Sequence, residues 1–152
     1  MIYAQNIHSP LGTILACCDE VGITLLKFEI EAPEIKPHPF LAQLENELAE
    51  YFSGKRREFS VPLHPRGTAF QESVWKSLQA IPYGKTWSYQ EQSEFIKHPK
   101  AIRAMAQANG ANPISIILPC HRVIGKNGQL TGYAGGLERK RWLLELEGFN
   151  LR

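Results

Sequence analysis

The spacing of apolar residues changes its period once along this chain, near Pro39, and that change decides which part can be sheet and which must be helix. Before it, apolar and polar side chains alternate over Ile2 to Ile7, Thr13 to Cys18 and Ile23 to Ile30, with a Val21-Gly22 turn ahead of the third segment. Alternation puts every second side chain on one face, so three short antiparallel strands joined as hairpins are expected. From Pro39 onward Phe40, Leu41, Leu44, Leu48, Tyr51 and Phe52 recur at three and four, the stripe of an α-helix that Gly54 stops. Glu58 to Leu63 reads as one more strand.

Pro62, Pro65 and Gly67 punctuate the passage into the second half and set a boundary there, giving an N-terminal α/β subdomain over 1–65 and a C-terminal domain over 66–152. The connection is short rather than a flexible linker. Beyond it Phe70, Val74, Trp75, Leu78 and Ile81 form a helical stripe over Ala69 to Ile81, stopped by Pro82-Tyr83-Gly84. Two short segments follow, Ser88 to Ile96 and Pro99 to Asn109, separated by a tight Lys97-His98 turn, and they read as a helix-turn-helix. The expected fold class is α+β, a small antiparallel sheet with one helix followed by a mainly helical domain.

With 152 residues, 43% of them hydrophobic, the chain can bury one respectable core or two small ones. No run approaches the roughly 18 to 20 apolar residues of a membrane span, and no basic stretch precedes an apolar one at the N-terminus, so a cytoplasmic address is expected, nuclear in a eukaryote. Three cysteines, two of them adjacent at Cys17 and Cys18, make a poor disulfide framework and no zinc ribbon. The formal net charge of +2 is unevenly spread. Residues 1–66 hold six basic and nine acidic side chains, residues 67–152 eleven and six. Between Glu94 and Glu138 there is no acidic residue, while Lys97, Lys100, Arg103, Arg122 and Lys126 all fall there. Such a segment suits a polyanion, or is simply a solvated basic face.

Two local patterns carry chemistry. In the second helix of the pair Ala101, Ala104, Ala106 and Ala108 are small and Arg103 is long and charged, which lets a helix approach a groove closely while one guanidinium reaches phosphate or the base stack. The same composition also serves a helix packed tightly inside its own protein. Further on, Asn112-Pro113-Ile114-Ser115-Ile116-Ile117-Leu118-Pro119 reads as an extended apolar element that delivers Cys120-His121-Arg122-Val123, a thiol beside a base and a cation that favour thiolate. A Cys-His dipeptide by itself is weak evidence, since a lone Cys is as often a small buried hydrophobe.

The longer context is more specific. Ser88-Tyr89, Pro99, Ala101, Arg103-Ala104 and Ala108-Asn109-Gly110-Ala111-Asn112-Pro113 precede Pro119-Cys120-His121-Arg122-Val123-Ile124-Gly125. Gly128, Gly132-Tyr133-Ala134-Gly135-Gly136-Leu137, Lys140, Trp142-Leu143-Leu144 and Glu147-Gly148 follow. With these spacings over some sixty residues the chain resembles the O6-alkylguanine-DNA alkyltransferases, the methylated-DNA–protein-cysteine methyltransferases; the N-terminal third matches only in general plan. The resemblance implies a winged helix-turn-helix C-terminal domain acting, as a monomer without cofactor or metal, on double-stranded DNA that contains O6-alkylguanine, with O4-methylthymine as a second lesion. The damaged base is flipped out and its alkyl group passes irreversibly to Cys120, once per molecule. His121 and Glu147 then match the groups that deprotonate Cys120 through a water, Asn112 the asparagine that holds the loop before the active site, and Tyr89 the tyrosine that crowds the flipped phosphate and helps protonate the leaving guanine. Tyr133 packs on the base, whose polar edge is read by backbone groups at Cys120, Val123 and Ala134. Arg103 fills the vacated stack, and Ala101 and Ala104 permit close approach in the minor groove.

Departures from the family pattern fall at Gln92 and at Phe95-Ile96-Lys97-His98, where many relatives carry a Leu-Ala pair and a Gly before the Pro, so the first helix of the pair is expected to pack unusually. Two other activities compete with alkyl transfer. A damage-binding protein without chemistry would lack the acceptor, and Cys120 argues against it. A Cys-His-Glu hydrolase needs neither the helix pair nor its arginine.

Overall fold

The computed structural model describes residues 1–149, so the last three residues of the expected 66–152 segment lie outside the description. It is α+β, and its contacts divide it into two compact units, Met1–Arg66 with Pro113–Ser115, and Gly67–Asn112 with Ile116–Arg152.

In the first unit β1 (Tyr3–Ser9), β2 (Gly12–Cys18) and β3 (Ile23–Phe28) form an antiparallel sheet in that order. The register pairs Ile7 with Ile14, Ile14 with Phe28 and Ala16 with Leu26. Alternation thereby sends Ile14, Ala16 and Cys18 to one buried face. Helix α1 (Pro39–Phe52) packs on β1 and β2 through Leu41, Leu44, Leu48 and Tyr51, the stripe read from the sequence. His38 caps it by accepting the Phe40 N–H at 3.0 Å, and Pro39 occupies the first turn, where no N–H is needed.

The strand expected over Glu58 to Leu63 is absent; only Leu63 makes a bridge, parallel to Ile23. The reason is Glu47, a buried carboxylate on α1 that accepts the Ser60 N–H at 2.9 Å, the Val61 N–H at 3.2 Å and the Ser60 hydroxyl at 2.7 Å. These N–H groups are spent on a side chain rather than on a ladder. Gly22 is required where this segment returns, because a Cβ there would stand 2.7 Å from the Pro62 carbonyl carbon.

The second unit contains α2 (Ala69–Leu78), β4 (Trp87–Ser88), α3 (Tyr89–Phe95), α4 (Ile102–Gly110), β5 (Val123–Ile124) and α5 (Leu137–Leu146). Thr68 with Gln71 and Ser88 with Glu91 form capping boxes that start α2 and α3. The helix pair is close to expectation, although α4 begins at Ile102 rather than at Pro99. Lys97, in a left-handed conformation (φ 62°), makes the turn between them. Trp75 Nε1 donates to Ala108 O at 2.7 Å and ties α2 to α4. Strands β4 and β5 pair in parallel, Trp87 with Val123 and Ser88 with Ile124.

The run ahead of Cys120 is not the extended element expected from its apolar residues. Ile114 alone bridges to Leu26, and the chain then turns at Ile116, whose positive φ of 74° is costly for a β-branched residue. Burial of Ile114, Ile116, Ile117 and Leu118 accompanies that strain, each being almost fully inaccessible.

Candidate active site

Cys120 opens a single 3-10 turn, Cys120–Arg122, directly after Pro119. Its N–H donates to Leu118 O at 2.8 Å, which folds the chain tightly enough to bury the thiol, 8% exposed. Asn112, just beyond the end of α4, donates from Nδ2 to Leu118 O at 2.7 Å and to Cys120 Sγ at 3.2 Å. One amide therefore holds the turn together and supplies a donor to the sulfur, an arrangement that favours thiolate.

The next two residues of the turn meet the end of α5. Gly148 (φ 87°) terminates this helix, and Glu147 at its C-cap is buried. His121, wholly buried, lies with Nε2 2.8 Å from Glu147 Oε2. Arg122 donates from Nε to Oε1 at 2.8 Å and from Nη2 to Oε2 at 3.0 Å, a two-point grip, while its Nη1 donates to Ile81 O at 2.8 Å. Burial pushes the Glu147 carboxyl up, but the hydrogen bonds and charges of His121 and Arg122 outweigh it and hold the group down at about 2. The anion only accepts, so His121 carries its proton on Nε2 and leaves Nδ1 with a lone pair. That Nδ1 is buried with no hydrogen-bond partner among the described residues. Burial also lowers the His121 pKa, opposed by Glu147, so the ring rests neutral with one nitrogen free to take a proton.

A second buried charge braces the other side of the turn. Lys140 on α5 donates to Val123 O and Thr131 O, both at 2.6 Å, and more distantly to Gly132 O at 3.5 Å. Burial pulls its ammonium down to about 8, the charge of Cys120 acting the other way. The ammonium so fastens β5 to the loop before Tyr133. Across from it the Tyr89 hydroxyl lies 3.2 Å from Thr131 Oγ1, and the β4–β5 pairing fixes the start of α3 beside Val123.

These elements enclose a cavity of about 210 Å³ lined by Tyr89, Ala106, Asn109, Cys120, Val123 and Tyr133, with Gly110, Gly132 and Ala134 completing it. It is smaller than the roughly 300 to 1,000 Å³ pockets of drug-sized ligands, the scale of one flat ring system. Of the residues singled out in the sequence, Cys120, Tyr89, Tyr133, Val123 and Ala134 meet at this cavity. Asn112, His121 and Glu147 instead contact the thiol or its turn. Arg103, exposed, stands with Ala104 on the first turn of α4, just after the N-cap Ala101, and none of the three lines the cavity.

Arg122 was read only as a cation beside the thiol, and its grip on Glu147 is invisible without the fold. Lys140 and Asn109 lay inside the quoted motif but were not read as site residues, and Thr131 carried no signal. Among the described residues no three His, Cys, Asp or Glu side chains converge as a metal site would require.

Residues 69–149 match the 6-O-methylguanine DNA methyltransferase DNA-binding domain, and residues 2–65 match the ribonuclease-like domain of the same family. A methylated-DNA–protein-cysteine methyltransferase of Methanosarcina acetivorans is 47% identical over 97% of this chain and 99% of its own length. The constitutive enzyme of that name from Bacillus subtilis is 43% identical over 97% and 96%. Among solved structures, the O6-methylguanine methyltransferase of Mycobacterium tuberculosis superposes with a TM-score of 0.87 at 46% identity, covering 97% of this chain and 93% of that one. The M. tuberculosis protein in complex with DNA gives 0.87 at 47% identity over 95% and 92%. Matched from end to end in both sequence and structure, this chain belongs to the O6-methylguanine DNA methyltransferase family, the methylated-DNA–protein-cysteine methyltransferases.

Proposed function

We propose that this protein repairs O6-alkylguanine in duplex DNA, with O4-methylthymine as a second lesion, by drawing the damaged base into the Cys120 cavity and moving its alkyl group to the sulfur. The observation that carries this is the buried thiol on the cavity wall, hydrogen-bonded by Asn112 and next in the chain to a neutral His121 whose Nδ1 is free. The Cys120 proton passes through a water to His121, and Glu147, held by Arg122, stabilises the imidazolium. The S–C bond forms as the bond from the alkyl carbon to O6 breaks. Guanine leaves with a proton that Tyr89 helps deliver, and the imidazolium returns its proton to balance the transfer. The product is a thioether, so each molecule reacts once.

An alkyl carbon inside the stack is out of line for sulfur, which is why extrusion belongs to the proposal. Helices α3 and α4 then act as the helix-turn-helix of a winged domain, residues 66–152, with α4 in the minor groove, Ala101 and Ala104 allowing approach and Arg103 filling the stack. Tyr133 packs on the base, and backbone at Val123 and Ala134 reads its edge. Among the described residues no helix is long and apolar enough to cross a membrane. We read the protein as a cytoplasmic monomer, nuclear in a eukaryote, with no cofactor in the transfer.

Intact mass after mixing with duplex DNA bearing O6-methylguanine tests the reading. One added methylene unit mapped to Cys120 is expected, and Cys120→Ser should add none while keeping duplex affinity within about threefold, because the change touches no phosphate. Transfer by the serine variant, or label on Cys17 or Cys18, would contradict it.

A further inference from the structure

A chain of buried polar side chains between α2, α3 and α4 takes no part in the chemistry above, yet it ends on the cavity wall. Ser77 on α2 donates its hydroxyl hydrogen to Val74 O at 2.5 Å, so its oxygen can serve Gln92 only as an acceptor. Gln92 on α3, 0% exposed, donates to it from Nε2 at 3.1 Å, which fixes the end of the Gln92 amide that carries nitrogen. The Asn109 amide on α4 is thereby oriented as well. Its Oδ1 accepts from Gln92 Nε2 at 3.0 Å and its Nδ2 donates to Gln92 Oε1 at 2.7 Å. Both Gln92 hydrogens are spent, and the donor left over along the chain is the second Nδ2 hydrogen of Asn109. Asn109 lines the cavity beside Ala106 and Cys120.

We infer that Asn109 is a substrate-binding residue that donates this N–H to an acceptor atom of the base in the cavity, with Ser77 and Gln92 as positioning residues that keep the amide's donor end available. The inference rests on the reading of the cavity as the base pocket. An unrestrained amide rotates to offer oxygen or nitrogen; one locked by a reciprocal pair cannot turn its remaining N–H away. The outer edge of an O6-alkylguanine ring offers N1, N3, N7 and O6 as acceptors, so a fixed donor suits it. Gln92, buried on α3 between Ser77 and Asn109, gains a purpose as the element that sets this polarity.

The test uses duplexes carrying O6-methylguanine and the analogues in which N1, N3 and N7 are replaced in turn by C–H and O6 by sulfur, reading the rate of Cys120 methylation by mass. In the unmutated protein one replacement lowers the rate relative to the parent base through the lost Asn109 contact. In Asn109→Ala that discrimination shrinks by about three- to tenfold, the range of one neutral hydrogen bond. Ser77→Ala and Gln92→Leu shrink the same ratio. Each ratio is taken within one protein, so loss of folded material cancels, and Ser77→Ala, which deletes one buried hydroxyl, carries the readout even if the larger changes unfold the chain. Equal ratios in all four proteins, with Cys120 methylated, overturn this inference alone. Failure of the unmutated protein to methylate Cys120 overturns the proposed function together with it.

Discussion

Glu147 serves two partners with one carboxylate, the Arg122 cation and the His121 ring, and the consequence of removing its charge follows from both. An ordinary thiol, with a pKa near 8.5, is only a few per cent thiolate at about pH 7, so Cys120 needs a base. In the proposed mechanism His121 is that base, and an anion facing it favours its protonated form. Glu147→Gln keeps shape and loses that anion, so the alkylation rate at neutral pH should fall and its apparent pKa should rise, by about tenfold in rate per unit. Raising the pH should recover much of the loss. An unchanged rate-against-pH curve would remove Glu147 from the mechanism. The same substitution leaves Arg122 buried without its counter-ion, a loss on the order of 3 kcal/mol. The folded carboxyl titrates at about 2 against an ordinary value of 4.5, so its stabilisation is complete above the ordinary value and is lost as the pH falls through the folded one. Denaturant unfolding of both proteins should therefore show a stability gap that is widest near neutrality and closes between those two values.

At the scale of elements, α4 joins two tasks: its C-terminal end supplies Ala106 and Asn109 to the cavity, and its first turn carries Arg103 into solvent. If that arginine holds the duplex open, Arg103→Ala should slow repair in duplex DNA far more than reaction with a short single strand bearing the same lesion, because only the duplex pays for extrusion. Equal losses would point to a folding defect or to a contact inside the pocket. How far such elements were legible depended on whether period or partnership made them. The strands β1 to β3 and helix α1 bury one face each, so their residues alternate or recur visibly. Strands β4 and β5 have two residues apiece and no period to read, and they exist because the segments after α2 and after the Cys120 turn pair with each other. The segment over Glu58 to Leu63 had the look of a strand, but Glu47, thirteen and fourteen residues away, claims its N–H groups. Ile116 misled in the same way, since its apolar run suits a strand and a buried turn equally well. The motif around Cys120 contained Cys120, His121 and Glu147, which the fold brings together; the double claim of Arg122 on Glu147 and the carbonyl cradle of Lys140 emerge only when distant segments converge.

The molecule as a whole divides its charge as it divides its contacts, with the acidic excess in residues 1–66 and the basic excess in residues 67–152, the part that holds both α4 and Cys120. Binding to a polyanion is thus favoured in the part of the chain that carries Cys120, the acceptor of the proposed transfer. A methylated Cys120 is a thioether, whose carbon–sulfur bond is stable to water, imidazole and carboxylate at neutral pH. Turnover would need a stronger nucleophile or a reductant, and Cys17 and Cys18 cannot serve readily, because burial pushes both thiols up, Cys18 to about 11. The protein should therefore be consumed in proportion to the lesions it repairs. With duplex in excess, methyl transferred should rise to one per protein molecule and stop, and a second addition of DNA should restart nothing while fresh protein does. Release of unmodified Cys120 with continued demethylation, in the absence of reductant or cofactor, would replace the single-use acceptor with a true catalytic cycle.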